Sequence, residues 1–261
     1  MVDKDAAWAA LEAAARTDGA TRIAAHFERE PDRLTTLTLD AAGLFLDLSK
    51  HPWSRAGFDA ALALARAADV EGHRARLFAG EMVNRTEKRP ALHMALRAPD
   101  GASYAALGKP VSPEVEATRA QMREFASDIR SGHTVGATGK TFRSIVHIGI
   151  GGSDLGPKLV WEVLKPLDPP MDIRFAANID GAEIAAALAG LDPAETLVIV
   201  VSKSFTTEET LVNGKAARAW LAAALGEDGA NAHLAAVTAN VEGAKAFGVA
   251  PERIFAFWDW V

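Results

Sequence analysis

The sequence contains no cysteine. That absence excludes disulfides, thiolate nucleophiles and cysteine-ligated zinc, and it suits a reducing compartment. There is also no block of lysine or arginine long enough to form a basic stripe. With a formal net charge of -6, the chain offers little attraction to a polyanion, so nucleic acid is not an expected partner. Long apolar runs are missing as well. The strongest, LVIVV at 197–201, is far shorter than the roughly 20 residues a membrane-spanning helix needs. The opening stretch MVDKDAAWAALEAAAR has acids among its first residues and no long apolar core. It reads as an amphipathic helix and not as a signal peptide. The expectation is a cytoplasmic chain with no membrane association.

What is present fits a globular protein. The 261 residues suit one large domain or two small ones, and 49% apolar with 24% charged residues is ordinary for a packed core. No internal repeat stands out, and no low-complexity tract beyond an alanine bias.

Two styles of sequence follow one another. Residues 1 to about 111 are alanine-rich with little strand signal, and helices are expected near 5–17, 54–68 and 70–80. Ser54 is placed to cap the second of these, with Phe58, Leu62 and Ala65 on one face. TLTLDAAGLFLDLSK at 36–50 contains a candidate two-stranded element turning at Ala41–Gly43. Pro110 and Pro113 then punctuate a boundary. Beyond it Val115, Thr118, Met122, Phe125 and Ile129 recur at steps of three and four, one face of a helix ending near Gly132.

From 144 the rhythm becomes strand and helix in alternation. Strands are expected at 144–150, 172–178, 196–202, 233–239 and 253–260, each but the last followed by a helix, the first such helix beginning at Leu155. Parallel strands with crossover helices predict an α/β doubly wound sheet, flavodoxin-like, with helices on both faces. The expected division is a mainly helical region at 1–111 and a sheet domain at 112–261.

Ligands of such sheets bind beyond the carboxyl ends of the strands. Two loops there can hold an anion. In GIGGSDLGP at 149–157, Gly149, Gly151 and Gly152 end a strand and lead into a helix, whose first amides favour a phosphate. A dinucleotide fingerprint would need a third glycine where Asp154 stands, and a P-loop would need Gly-Lys-Ser/Thr where Pro157 follows Gly156. A tight turn without any ligand remains an equal alternative for this loop alone. The second loop, SKSFTT at 202–207, supplies the hydroxyls of Ser202, Ser204, Thr206 and Thr207 and the charge of Lys203. A helix cap needs one hydroxyl. Four, with a lysine, suit a phosphate. The two loops follow the first and third strands, which are neighbours in a 2-1-3 order.

HIGIGGSDLGP at 147–157 and VSKSFTTEET at 201–210 resemble the glucose-6-phosphate isomerase family. GEMVNRTEKRPALHMALR at 80–97 is similar to that family's G-E-x-x-N-x-T-E-x-R-x-x-L-H-x-A-L-R stretch, and FAFWDWV at 255–261 to the lead into its arginine-containing signature. The resemblance implies two sugar-isomerase domains of α/β type, the first preceded by helices. It implies that Ser202, Ser204 and Thr207, with the backbone of Lys203, bind the sugar phosphate, and that Gly152 and Ser153 line the sugar site. The family usually has threonine where Ser204 stands, and the hydroxyl is kept.

The chemistry implied is the interconversion of glucose 6-phosphate and fructose 6-phosphate, in which a carboxylate moves a proton between C1 and C2. No metal or organic cofactor is implied, and the complete enzyme is expected to be a homodimer. In the family pattern the catalytic arginine, glutamate, histidine and lysine follow the last motif matched, so no catalytic residue is expected within this chain. It reads as the N-terminal, phosphate-binding half, inactive alone, without the second sugar-isomerase domain. The apolar cluster Phe255, Phe257, Trp258 and Trp260 is then expected to lie exposed on the fifth strand. His147 is expected in the core and His93 is assigned no catalysis. His26, His51, His73, His133 and His233 are expected at the surface or in local structural roles. The competing reading is a non-catalytic module that binds a sugar phosphate at the same loops.

Overall fold

The computed structural model describes residues 3–167 and 169–261. The chain divides into two compact units, Met1–Val83 and Asn84–Val261.

The first unit is built from α1 (Lys4–Gly19), α2 (Ile23–Arg29), α3 (Arg33–Thr36), the hairpin β1 (Thr38–Ala41) and β2 (Leu44–Asp47), α4 (Arg55–Ala67) and α5 (Val70–Phe78). The hairpin turns through Ala42 and Gly43, both at positive φ, the two-residue turn whose twist matches that of paired strands. Ser54 caps α4 as expected, accepting from the Gly57 amide at 3.1 Å. The Asp18 carboxylate receives both the amide and the hydroxyl of Ser54, which ties the end of α1 to the start of α4. The fully buried Arg33 donates to the carbonyls of Ser49, His51 and Trp53 at 2.5–2.6 Å. A buried guanidinium is tolerated only with its donors so satisfied.

Residues 84–111, expected with the N-terminal region, pack in the second unit. Leu92, Ala95 and Val111 form a cluster with Val115 and Trp260, and the Leu92 amide donates to the Trp260 carbonyl at 3.1 Å. The prolines mark only the short hairpin of β3 (Ala105–Ala106) and β4 (Lys109–Pro110) and the first turn of α6 (Ser112–Ser131). That helix stops at Gly132, which takes the left-handed conformation.

The sheet contains β5 (Ser144–Ile148), β6 (Asp172–Ala176), β7 (Thr196–Val201), β8 (Leu234–Thr238) and β9 (Ile254–Ala256), in the order β6-β5-β7-β8-β9 and parallel throughout. Alternate residues face opposite cores. Val146, Ile148, Val198, Val200, Leu234 and Ala236 pack toward α8 (Gly181–Leu188), α9 (Glu208–Asn231) and α10 (Val241–Ala246). Leu197, Ala235 and Phe255 pack on the other side with Phe125 and Ile129 of α6. The doubly wound arrangement expected from the sequence is the one found.

Two details differ. The helix after β5, α7 (Gly152–Leu164), begins three residues before Leu155, so Gly152 and Ser153 lie in its first turn. The first segment of α9 ends near 225 as expected, where Gly226 at φ 76° and ψ 169° breaks the helix before it continues to Asn231. The last strand stops at Ala256 instead of 260. Beyond it Trp258 and Trp260 stack on each other at 4.9 Å, and Trp260 enters the cluster around Leu92. The aromatics that suggested a longer strand are satisfied by packing and not by pairing. Trp260 and Phe255 are therefore buried where exposure was expected. Among the described residues no helix is long and apolar enough to cross a membrane.

Candidate functional site

The loops after β5 and β7 leave the same edge of the sheet from adjacent strands, since Ile148 pairs with Val200. After β7 the chain makes a compact turn. Ser202 is buried, and its hydroxyl accepts from the Phe205 amide and donates to Thr207 Oγ1, both at 3.2 Å. Phe205 takes φ of +53°, a conformation costly for a bulky residue. Its buried ring packs edge-on against Phe247 at 5.7 Å, which pins the turn from below. Ser204 is exposed and accepts from the amide and hydroxyl of Thr206. Thr207 is the N-cap of α9 but makes no capping bond, so the first amides of that helix keep their donors.

The neighbouring strand ends brace this turn. The Lys203 carbonyl accepts from the Ala239 amide at 3.0 Å and the Thr238 hydroxyl at 3.2 Å, and Asn240 Nδ2 donates to the Ser204 carbonyl at 2.9 Å. Lys203 Nζ donates to the carbonyls of Asp259, at 3.1 Å, and Val261. A cleft of about 500 Å³ opens here, lined by Arg89, Lys203, Ser204, Thr207, Ala239, Asn240 and Asp259. That volume suits a small polar ligand.

Arg89 and Asn240 were not singled out from the sequence. Arg89 lies inside the stretch 80–97, but no local pattern points it at a loop more than a hundred residues away. It is held by Glu87, whose carboxylate accepts from Arg89 Nε at 2.7 Å and also from Nη2. The Arg89 hydrogen bond and charge hold the Glu87 carboxyl below its ordinary range, with the Lys203 charge adding to the effect. Two cations, Arg89 and Lys203, and the hydroxyls of Ser204 and Thr207 thus meet at the mouth of α9, an arrangement that can hold an anion.

The loop after β5 contributes differently. Gly151 takes φ of +58°, and Gly152 has nothing within 4 Å of where a side chain would project. Ser153 is half-buried in the first turn of α7. Neither Gly152 nor Ser153 lines the 500 Å³ cleft, and the buried Ser202 does not line it either. Of the six residues expected to bind, Lys203, Ser204 and Thr207 therefore meet in the cleft. His147 is half-buried on β5, and burial holds its imidazole below the ordinary histidine range, against the opposing effects of the Ser153 carbonyl and Asp154. His233 and His26 are buried, the structural side of the two roles expected for them. His93 is exposed.

Comparison with known proteins gives a consistent result. The family model described as phosphoglucose isomerase matches residues 47–261. The glucose-6-phosphate isomerase of Caulobacter vibrioides is 60% identical over 261 residues, covering 100% of this chain and 48% of that protein. Glucose-6-phosphate isomerase 3 of Rhodococcus jostii is 46% identical over 242 residues, covering 92% and 44%. The crystal structure of a glucose-6-phosphate isomerase from Chlamydia trachomatis superimposes with a TM-score of 0.70 at 26% identity, covering 88% of this chain and 44% of that one. The chain spans about half the length of the curated relatives it matches. With the family model matching most of its residues, the chain belongs to the phosphoglucose isomerase family.

Proposed function

We propose that this chain supplies the sugar-phosphate-binding part of a glucose-6-phosphate isomerase, an aldose-ketose isomerase acting on glucose 6-phosphate and fructose 6-phosphate. The observation that carries the reading is the convergence of Lys203, Ser204 and Thr207 with Arg89 in one cleft at the N-terminus of α9. A phosphate monoester has several acceptor oxygens, and the cleft offers hydroxyls, helix amides and two cations. Ser202 supports the turn from within, and Gly152 and Ser153 line the path of the sugar from the adjacent loop. Residues 112–261 form the sugar-isomerase domain in this reading, with 84–111 packed onto it. The proton-transfer groups lie outside this chain. The reading carries with it a cytoplasmic homodimer serving glycolysis and gluconeogenesis, with no cofactor.

Calorimetric titration of the chain with fructose 6-phosphate, glucose 6-phosphate and NAD tests the proposal. Saturable binding of both sugar phosphates, competed by inorganic phosphate, is the expected result. Binding of NAD alone, or of none of the three, would remove the reading. Absence of isomerisation by the chain, with activity when it is expressed within a sequence as long as its relatives, separates the enzyme from a non-catalytic binding module.

A further inference from the structure

Three residues of the stretch 147–157 converge on a single atom, the backbone carbonyl oxygen of Ser153. In a regular helix that oxygen would accept from the amide four residues on. That residue is Pro157, which lies inside α7 and has no amide hydrogen. The carbonyl is left without its helical partner. His147 Nε2 lies 2.7 Å from it. A carbonyl oxygen can only accept, so the imidazole must carry its proton on Nε2. The third residue is Gly149. A Cβ there would stand 2.8 Å from the same oxygen and 3.0 Å from the Ser153 Cβ, closer than real side chains approach. Glycine at 149 therefore leaves the space through which the carbonyl and the imidazole meet.

We propose that His147 is a positioning residue for the sugar site, its Nε2–H replacing the helix hydrogen bond that Pro157 removes and so fixing the turn that carries Gly152 and Ser153. The role of Gly152 and Ser153 toward sugar rests on the function proposed above. The positioning itself does not.

The geometry explains why a proline is tolerated in the second turn of α7. An unpartnered carbonyl near the start of a helix would fray the turn or draw in water. The bond from β5 replaces a local contact with one to the central part of the sheet, where His147 pairs between Phe175 and Ile199. The first turn of α7 is thereby locked to β5, an interior strand. Its ring is packed against Phe175 at 5.2 Å, which limits its own rotation. Its burial favours the neutral ring, which has a single N–H to give.

The test combines a spectroscopic signature with a second-site rescue, all on the full chain. Imidazole 15N spectra should show the Nε2–H tautomer for His147, and an Nδ1–H tautomer would overturn the proposal. His147→Leu should lower Tm and weaken fructose 6-phosphate binding about three- to tenfold, the usual effect of one lost hydrogen bond. His147→Gln, whose amide nitrogen reaches about where Nε2 stands, should retain most of both. Pro157→Ala restores the missing amide hydrogen, so His147→Leu combined with Pro157→Ala should recover both. A double variant no better than His147→Leu overturns the proposal. If the unaltered chain does not bind fructose 6-phosphate, the assignment of the sugar site fails, and the tautomer and the Tm rescue alone decide the positioning role.

Discussion

Ser202 donates its hydroxyl proton to Thr207 Oγ1 across 3.2 Å, so the two hydroxyls form a chain and not two parallel ligands. Ser202 is buried and its oxygen also receives the Phe205 amide. Its hydrogen-bonding capacity is directed at the turn. Thr207 receives the bond and keeps its own proton for a ligand in the cleft. The sequence gives both residues the same appearance, a hydroxyl in a hydroxyl-rich loop, yet the structure divides the work between them.

The first prediction follows from that division. Thr207→Val keeps the side-chain volume and removes the proton. A hydrogen bond to a charged group contributes about 1.5–3 kcal/mol, so fructose 6-phosphate affinity should fall roughly ten- to hundredfold. Thr207→Ser should keep it. Ser202→Ala should lower thermal stability more than Thr207→Val does, because it leaves the buried Phe205 amide unpaired. Calorimetry with melting curves checks both. Unchanged affinity in a folded double variant, Ser204→Ala with Thr207→Val, would remove this loop from the site.

Arg89 is the second. Its guanidinium lines the cleft beside Lys203 and is oriented by Glu87. Arg89→Met should weaken sugar-phosphate binding by about tenfold or more, and the remaining affinity should depend less steeply on salt because one cation is gone. Arg89→Lys should recover only part of the loss, since a point charge cannot reproduce the planar fork. Titrations at low and high ionic strength decide the matter. A variant with unaltered affinity and salt slope would place Arg89 outside the binding set.

Much of the sheet is legible in the sequence because its inner strands β7 and β8 are buried on both faces. Such strands read as continuous apolar runs, as in LVIVV, and their parallel direction follows from the alternation of strand and helix. The errors have physical causes. Gly152 and Ser153 are weak helix formers, so the sequence points to a helix start at Leu155, yet the first turn tolerates them because its amides need no intrahelical partner. Trp258 and Trp260 carry strand-like propensity, but stacking and the cluster around Leu92 claim them first. The density of hydroxyls in 202–207 exceeds any capping need and draws attention to this loop, of which Lys203, Ser204 and Thr207 line the cleft. Arg89 and Asn240 were missed because only the fold brings them to that loop.

The third prediction concerns pH. Burial holds the His233 imidazole below its ordinary range, the Arg253 charge adds to this, and the Thr196 carbonyl opposes it. Burial acts the same way on His147. The unfolded chain takes up protons at these rings near pH 6.5, where the folded chain does not. Stability should therefore be full above about pH 7 and fall as pH drops through about 6.5 toward the depressed folded values. His233 donates to Thr196 at 2.8 Å and accepts from the Ala137 amide at 2.9 Å. His233→Phe should lower stability at pH 7.5 but flatten the dependence between pH 7 and 5.5. Urea unfolding at a series of pH values checks it; an equal slope in the variant would locate the titration elsewhere.

The last prediction moves the exposed apolar surface from the end of the chain to α7. Leu155, Leu159 and Val163 recur every four residues, as do Val160 and Leu164, and all five are exposed, by 57–73%. Residues four apart on a helix are neighbours, so the side chains form one continuous stripe. Stripes of this kind bind hydrophobic dyes and favour association. Phe255 and Trp260, by contrast, are already packed inside. Leu159→Gln with Val163→Gln should cut dye fluorescence by at least about half and shift sedimentation toward monomer, while α7 persists because glutamine is a good helix former. Trp258→Gln, at the half-buried aromatic stack, should not lower dye binding. If the pattern were reversed, with dye binding lost on changing Trp258 and kept on changing α7, the exposed surface would lie at the aromatic cluster after all.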